Sequence, residues 1–218
     1  MYVVYVLITR SFIDDIGLIK SSLHSKFSMI DLGLLKQFLE LEIEQFNAGI
    51  KVIQPKYVVD MLLKFKMAEC KETKFPFLSG IKLGDFGASP LVDRSLYKQL
   101  GGSLLYLTRS RLDLEYAIGS ISIYMQDPHD IQCKYTKIIL HYVQGTKHFG
   151  VHYVASSPLE LVGFTDFDWV RNSINRKYTL GYVFMLSHGP ICWSRKKQHI
   201  ISLSSVETEY KGAVNKAT

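Results

Sequence analysis

The sequence predicts an α+β fold, because its hydrophobic period changes along the chain. The middle third repeats apolar residues at helical spacing, whereas the stretch after Phe149 alternates with a period near two. Helices and strands therefore segregate instead of alternating as βαβ units. At 218 residues with 47% hydrophobic content, the chain has material for one large or two small domains, and a wholly disordered chain is excluded.

The elements follow in order. Tyr2 to Ile8 is an apolar run without a basic region before it, far short of the ~20 apolar residues of a membrane span, and it is predicted as a buried strand. Ser11 is the expected N-cap of a helix whose stripe is Phe12, Ile16, Ile19, Leu23 and Phe27. Extended runs from Leu39 to Phe46 and from Ile50 to Ile53 flank Asn47-Ala48-Gly49, the turn chemistry of a hairpin. Pro55 opens a helix with Val58, Met61, Leu62 and Phe65 on its apolar face. Residues 71 to 92, rich in Gly and Pro, read as a long surface connection.

Three helices are then expected: about Asp93 to Leu107, Asp113 to Met125, and Asp130 to Val143 with Gly145 as its C-terminal cap. Gly101-Gly102 lacks the spacing of a phosphate loop and reads as a close helix contact or a kink. Val151 and Tyr153, Leu159 to Asp166, Tyr178 to Leu186, and Ile191 to Ser194 are expected as strands in meander order. Ser204 with Glu207 three residues on caps a closing helix striped by Val206, Tyr210, Ala213 and Ala217.

Lys and Arg number 26 against 20 Asp and Glu, a net charge of +6 that admits a polyanionic partner. Three scattered cysteines make neither a disulfide framework nor a paired-Cys zinc site. The sharpest chemical signal is Asp166 with Asp168, two apart in a strand and so on one face, where a cation would offset their repulsion. A pair of exposed acids at a strand end is the plainer reading. Glu209 on the edge of the closing helix stripe is a third acid, and a strand-borne Asp with a helix-borne Glu is one arrangement of a metal-assisted nuclease. Alternatively, Glu209 is a solvated acid pairing with Lys211 or Lys216. Trp193 with Arg195, Lys196 and Lys197 is a candidate phosphate-contacting strip, although lysine-rich turns are commonly just solvated.

In order, Leu23-His-Ser-Lys-Phe-Ser-Met29, Asp31-Leu-Gly33, Leu35-Lys-Gln-Phe-Leu39, Tyr97-Lys-Gln-Leu-Gly101, Leu105-Tyr-Leu-Thr108, Tyr142-Val-Gln-Gly-Thr146, Asp166-Phe-Asp-Trp169, Gly181-Tyr182, Trp193-Ser-Arg-Lys-Lys-Gln198 and Ser204-Ser-Val-Glu-Thr-Glu-Tyr210 cover almost the whole chain. This series resembles the Pol polyprotein of copia-type LTR retrotransposons, from the end of the reverse transcriptase into the ribonuclease H domain. The resemblance implies residual palm strands and a thumb-like segment in 1–70, a connecting loop in 71–92, a helical connection-like region in 93–148, and a truncated ribonuclease H-like mixed sheet with a helix in 149–218. It implies a cytoplasmic or nuclear transposable-element product that binds an RNA/DNA hybrid weakly. With no span or signal segment, no membrane partner is expected, and sheet edges opened by truncation would invite self-association.

The family's two polymerase aspartates fall where this chain has Val4 and Tyr5, neither of which can replace a carboxylate ligand of magnesium. Asp166 and Glu209 match ribonuclease H carboxylates that hold Mg2+, Asp168 is a further candidate ligand, and the other two acids of that site would lie beyond Thr218. Leu112 stands where proline is expected after Arg111. The resemblance thus implies a catalytically inert fragment. The alternatives are a residual magnesium-dependent hybrid nuclease and a non-catalytic structural or interaction remnant.

Overall fold

The computed structural model describes residues 5–10, 12–77, 83–84, 87, 89–155, 158–168 and 177–201, the side chains of 13, 167, 168, 177–180 and 196–201 excepted. It is an α+β arrangement of two units, Met1–Leu35 and Lys36–Thr218.

In the first unit, helix α1 (Ile13–Lys26) starts at Phe12 without a side-chain cap, with Asp14 and Asp15 in its first turn. Acids there complement the partial positive charge of the helix N-terminus. Its flanking aromatics Phe12 and Phe27 are 73% and 63% exposed, so the stripe expected to face a core is largely at the surface. A unit this short has too little chain to enclose its own apolar face. Residues 5–8, expected in a strand, carry no regular structure, and Met1–Val4 lie outside the described residues.

The second unit opens with an antiparallel sheet in the order β1-β2-β3-β4: β1 (Gln37–Phe38), β2 (Leu41–Phe46), β3 (Gly49–Ile53) and β4 (Gly150–Val154). The hairpin expected around Asn47-Ala48-Gly49 forms, with Phe46 paired to Gly49. A second hairpin replaces the expected start of a strand at Leu39. Phe38 pairs with Leu41, so Leu39 and Glu40 form the two-residue turn, with φ of 47° and 61°. Such turns need left-handed residues at both positions, which is why glycine and asparagine dominate them and why apolar Leu39 hid this one. Gly49 and Gly150 bracket the β3-β4 pairing. A Cβ on Gly49 would stand 2.0 Å from the Tyr153 carbonyl oxygen, and one on Gly150 would stand 2.1 Å from that of Val52. β4 thus joins β3 instead of the later meander.

Helices pack together as the body of the unit: α2 (Pro55–Lys64), α3 (Arg94–Leu107), α4 (Glu115–Ser122) and α5 (Asp130–Gly145), with a 3-10 turn at Leu112–Leu114. α3 starts where Asp93 accepts hydrogen bonds from the amides of Ser95 and Leu96 at 2.7 and 3.2 Å. α5 ends at Gly145, and Thr146 is its C-cap. One contiguous core gathers Val58, Met61 and Leu62 from α2, Leu104 and Leu107 from α3, Ile118 and Ile121 from α4, and Ile139 and Val143 from α5. Gly101 makes the close approach expected of it: a Cβ there would fall 2.2 Å from Met125 Cε.

A second antiparallel sheet runs β5 (Leu161–Asp168), β6 (Lys177–Leu186) and β7 (Gly189–Ile201), with β6 central. These are the expected last three meander strands. The expected closing helix lies outside the described residues. No helix among the described residues is long and apolar enough to cross a membrane.

Candidate nucleic-acid interface

Asp166 is an exposed residue of β5, paired with Gly181. Asp168 is two residues on in the same strand and paired with Thr179. Glu209 and Val4 lie outside the described residues, and Tyr5 is exposed without regular structure. Among the described residues no group of three or more His, Cys, Asp or Glu could hold a metal ion. One exposed carboxylate does not make a site for magnesium, which demands near-octahedral oxygen coordination. Of the expected ligands Asp166, Asp168 and Glu209, Asp166 alone has a described side chain.

The basic strip divides. The Trp193 indole N–H donates to the Thr108 carbonyl at 3.1 Å, and the Arg195 amide donates to Glu115 Oε1 at 3.1 Å. Burial pushes the Glu115 carboxyl up, against the lowering effect of that hydrogen bond and of the Arg195 charge. Both strip residues are thus tied to the helical body. Lys196 and Lys197 continue β7, their side chains outside the described set.

A groove that sequence reasoning missed lies where the Leu39–Glu40 turn meets α3. It encloses about 600 Å3 and is lined by Tyr57, Tyr106, Lys98, Gln99 and Gly102 with the turn itself. Lys98, Gly102 and Tyr106 are four residues apart and share one face of α3. The rings of Tyr57 and Tyr106 sit 5.0 Å apart, tilted by 56°. Both hydroxyls are engaged with backbone: Tyr57 donates to the Ser103 carbonyl at 2.9 Å, and Tyr106 donates to the Leu39 carbonyl, pinning the turn. Arg109 lies 5.6 Å from the Tyr106 ring centre. Gly102 has open space where a Cβ would stand, so the floor between the aromatics and the cations is unobstructed. The signal was in the sequence, as Lys98, Gly102 and Tyr106 at successive steps of four, but only the turn at 39–40 turns that spacing into a groove.

Behind α3, Arg111 is the most buried charge among the described residues, 1% exposed. Its Nε and Nη2 donate to Asp113 Oδ1 and Oδ2 at 2.9 and 2.8 Å. Nη1 donates to the Thr146 carbonyl at 2.9 Å and Nη2 to Thr146 Oγ1 at 2.8 Å. Tyr142 donates to Asp113 Oδ2 at 2.9 Å. Burial acts to raise the Asp113 carboxyl, but the hydrogen bonds and charge of Arg111 outweigh it and hold the group below its ordinary value.

Residues 1–79 match the family model described as reverse transcriptase (RNA-dependent DNA polymerase). The Retrovirus-related Pol polyprotein from transposon RE1 of Arabidopsis thaliana is 32% identical over 89% of this chain and 13% of its own length. That from transposon RE2 of the same plant is 33% identical over 99% of this chain and 15% of its own. An uncharacterized mitochondrial protein of Arabidopsis thaliana is 32% identical over 97% of this chain and 88% of that protein. The chain belongs to the copia-type retrotransposon Pol family. It spans about one seventh of the two Pol polyproteins named here. No solved structure matches.

Two of the copia-type Pol words now have physical content in this chain. Tyr142 and Thr146, a helical turn apart, are the two ends of the Arg111 clamp. Leu105-Tyr-Leu-Thr108 supplies the core leucine Leu107, the groove tyrosine Tyr106 and the carbonyl that receives Trp193. In the copia-type Pol chain these words build the scaffold and the groove.

Proposed function

We propose that this chain is a nucleic-acid-contacting part of the reverse transcriptase and ribonuclease H region of a copia-type Pol, holding an RNA/DNA hybrid without extending or cleaving it on its own. The groove carries the reading: aromatic rings stack on bases of any sequence, and Lys98 on α3, with Arg109 beside the Tyr106 ring just past the helix end, offsets phosphate charge. In this reading α3–α5 are the thumb- and connection-like helices, β5–β7 are the first strands of a ribonuclease H-like sheet, and Asp166 is its first-strand carboxylate. Val4 and Tyr5 in place of the polymerase aspartates favour binding over synthesis.

Binding of a labelled RNA/DNA hybrid, titrated with salt, tests this. Affinity should fall steeply as salt rises, and Lys98→Glu should weaken it several-fold at low salt and flatten the log–log slope by about one phosphate contact. Binding that ignores salt, or that Lys98→Glu leaves unchanged, would remove the groove from the account.

A further inference from the structure

β7 reaches the helical body through a socket on α4. Glu115, Tyr116, Gly119 and Ser120 lie at spacings that bring them together on one side of that helix. Arg195 enters between them. Its guanidinium carbon lies 4.3 Å from the centre of the Tyr116 ring, and Nη1 is 3.5 Å from Ser120 Oγ. Gly119 forms the floor, with the nearest Arg195 atoms 3.7 and 3.9 Å from where a Cβ would stand. The Arg195 amide holds Glu115, and Trp193, two residues earlier on the same face of β7, holds the Thr108 carbonyl. Tyr153 of β4 adds a third tie, donating to the Pro190 carbonyl at 2.7 Å.

Trp193 and Arg195 are also the residues whose side chains suit stacking on bases and pairing with phosphate. In the docked sheet the Arg195 guanidinium lies over the Tyr116 ring of α4, and the part-buried Trp193 is tied through its indole N–H to the end of α3. A phosphate cannot pair with the Arg195 guanidinium while it fills the socket.

We propose that the α4 socket is an autoinhibitory contact: the Trp193–Arg195 strip engages nucleic acid only when β7 leaves the socket, so docking of the three-stranded sheet and nucleic-acid binding by this strip compete. This inference rests on the nucleic-acid reading above. A ligand that binds one of two states must draw the equilibrium toward it, and its apparent affinity is reduced by the fraction of competent molecules. The sheet's undocked fraction therefore sets how tightly the strip binds.

The chain has two tryptophans, so Trp169→Phe leaves Trp193 as sole reporter. In that background, Tyr116→Ala removes the socket wall at an exposed position, and Gly119→Val independently fills its floor. Both variants should red-shift Trp193 emission, make it more accessible to acrylamide, and tighten low-salt binding of a short RNA/DNA hybrid. The tightening should reach about tenfold if about nine-tenths of the parent molecules are docked. Adding hybrid to the parent should itself increase Trp193 quenching. Variants that expose Trp193 yet bind no more tightly than the parent would overturn the competition, as would variants in which Trp193 stays shielded. If no form binds hybrid at any salt while the variants still expose Trp193, the nucleic-acid reading itself fails, and the autoinhibitory role falls with it.

Discussion

Arg111→Ala is expected to lower the unfolding free energy of the second unit by about 2–4 kcal/mol, from the hydrogen bonds lost by a fully buried side chain and the cavity it leaves. The side chain is 1% exposed and spans the 3-10 turn at Leu112–Leu114, the end of α5 and the residues leading into β4. Its loss would deprive Asp113 and both Thr146 oxygens of donors at once and would leave a cavity beside the Tyr142 and Phe149 rings, which lie 5.6 and 5.4 Å from the guanidinium. Against a typical domain stability of about 5–15 kcal/mol, that is a large fraction of the total. Urea denaturation followed by circular dichroism measures it, and a change under about 1 kcal/mol would show that the clamp is not a keystone. Asp113 adds a pH signature. A carboxyl held below its ordinary value in the fold stabilises above that ordinary value and loses the contribution as pH falls through the folded pKa. The stability difference between the parent and Asp113→Asn should therefore shrink on acidification. Glu115, raised by burial, runs with the opposite sign: its contribution is present below the ordinary value and lost as pH rises through the folded pKa. The Asp113→Asn comparison isolates the first of these.

Leu104→Ala should cost about 2–5 kcal/mol, because a fully buried leucine in a packed core leaves a cavity its neighbours cannot fill. Leu104 is 0% exposed at the centre of the cluster that α2, α3, α4 and α5 share. Leu105, the next residue on α3, is 44% exposed, so Leu105→Ala should change stability by no more than about 0.5 kcal/mol. Equal effects from the two would mean that α3 presents a different face to the core. The contrast also separates scaffold from groove, since Leu104 faces inward while Tyr106 lines the groove.

The helical body was legible because its signals are local. Asp93 before Arg94, Pro55 at the start of α2 and the apolar spacings of α3 and α5 each specify a helix without help from distant residues. The pairing of β4 was not legible, since nothing within Gly150–Val154 distinguishes a partner in β3 from one in β5; the choice depends on glycines at both ends of the β3-β4 ladder. The Leu39–Glu40 turn was hidden by residues that rarely adopt left-handed backbone. The stripe of α1 was read as buried because amphipathicity marks a face and says nothing about what covers it. At the site, Asp166 and Asp168 lie on one strand as their spacing predicts. The Trp193–Lys197 strip was visible as composition, whereas its engagement by Thr108 and Glu115 spans 85 and 80 residues of chain and has no local signature.

On the proposed reading this chain holds nucleic acid without cutting it. The most direct test incubates the purified chain with a labelled RNA/DNA hybrid and magnesium at low salt, with Asp166→Asn in parallel, and scores bound and cleaved hybrid in the same sample. The account predicts a bound, intact hybrid and identical behaviour of the Asp166→Asn variant. Magnesium-dependent cleavage that the variant abolishes would contradict it and establish a working nuclease site around Asp166.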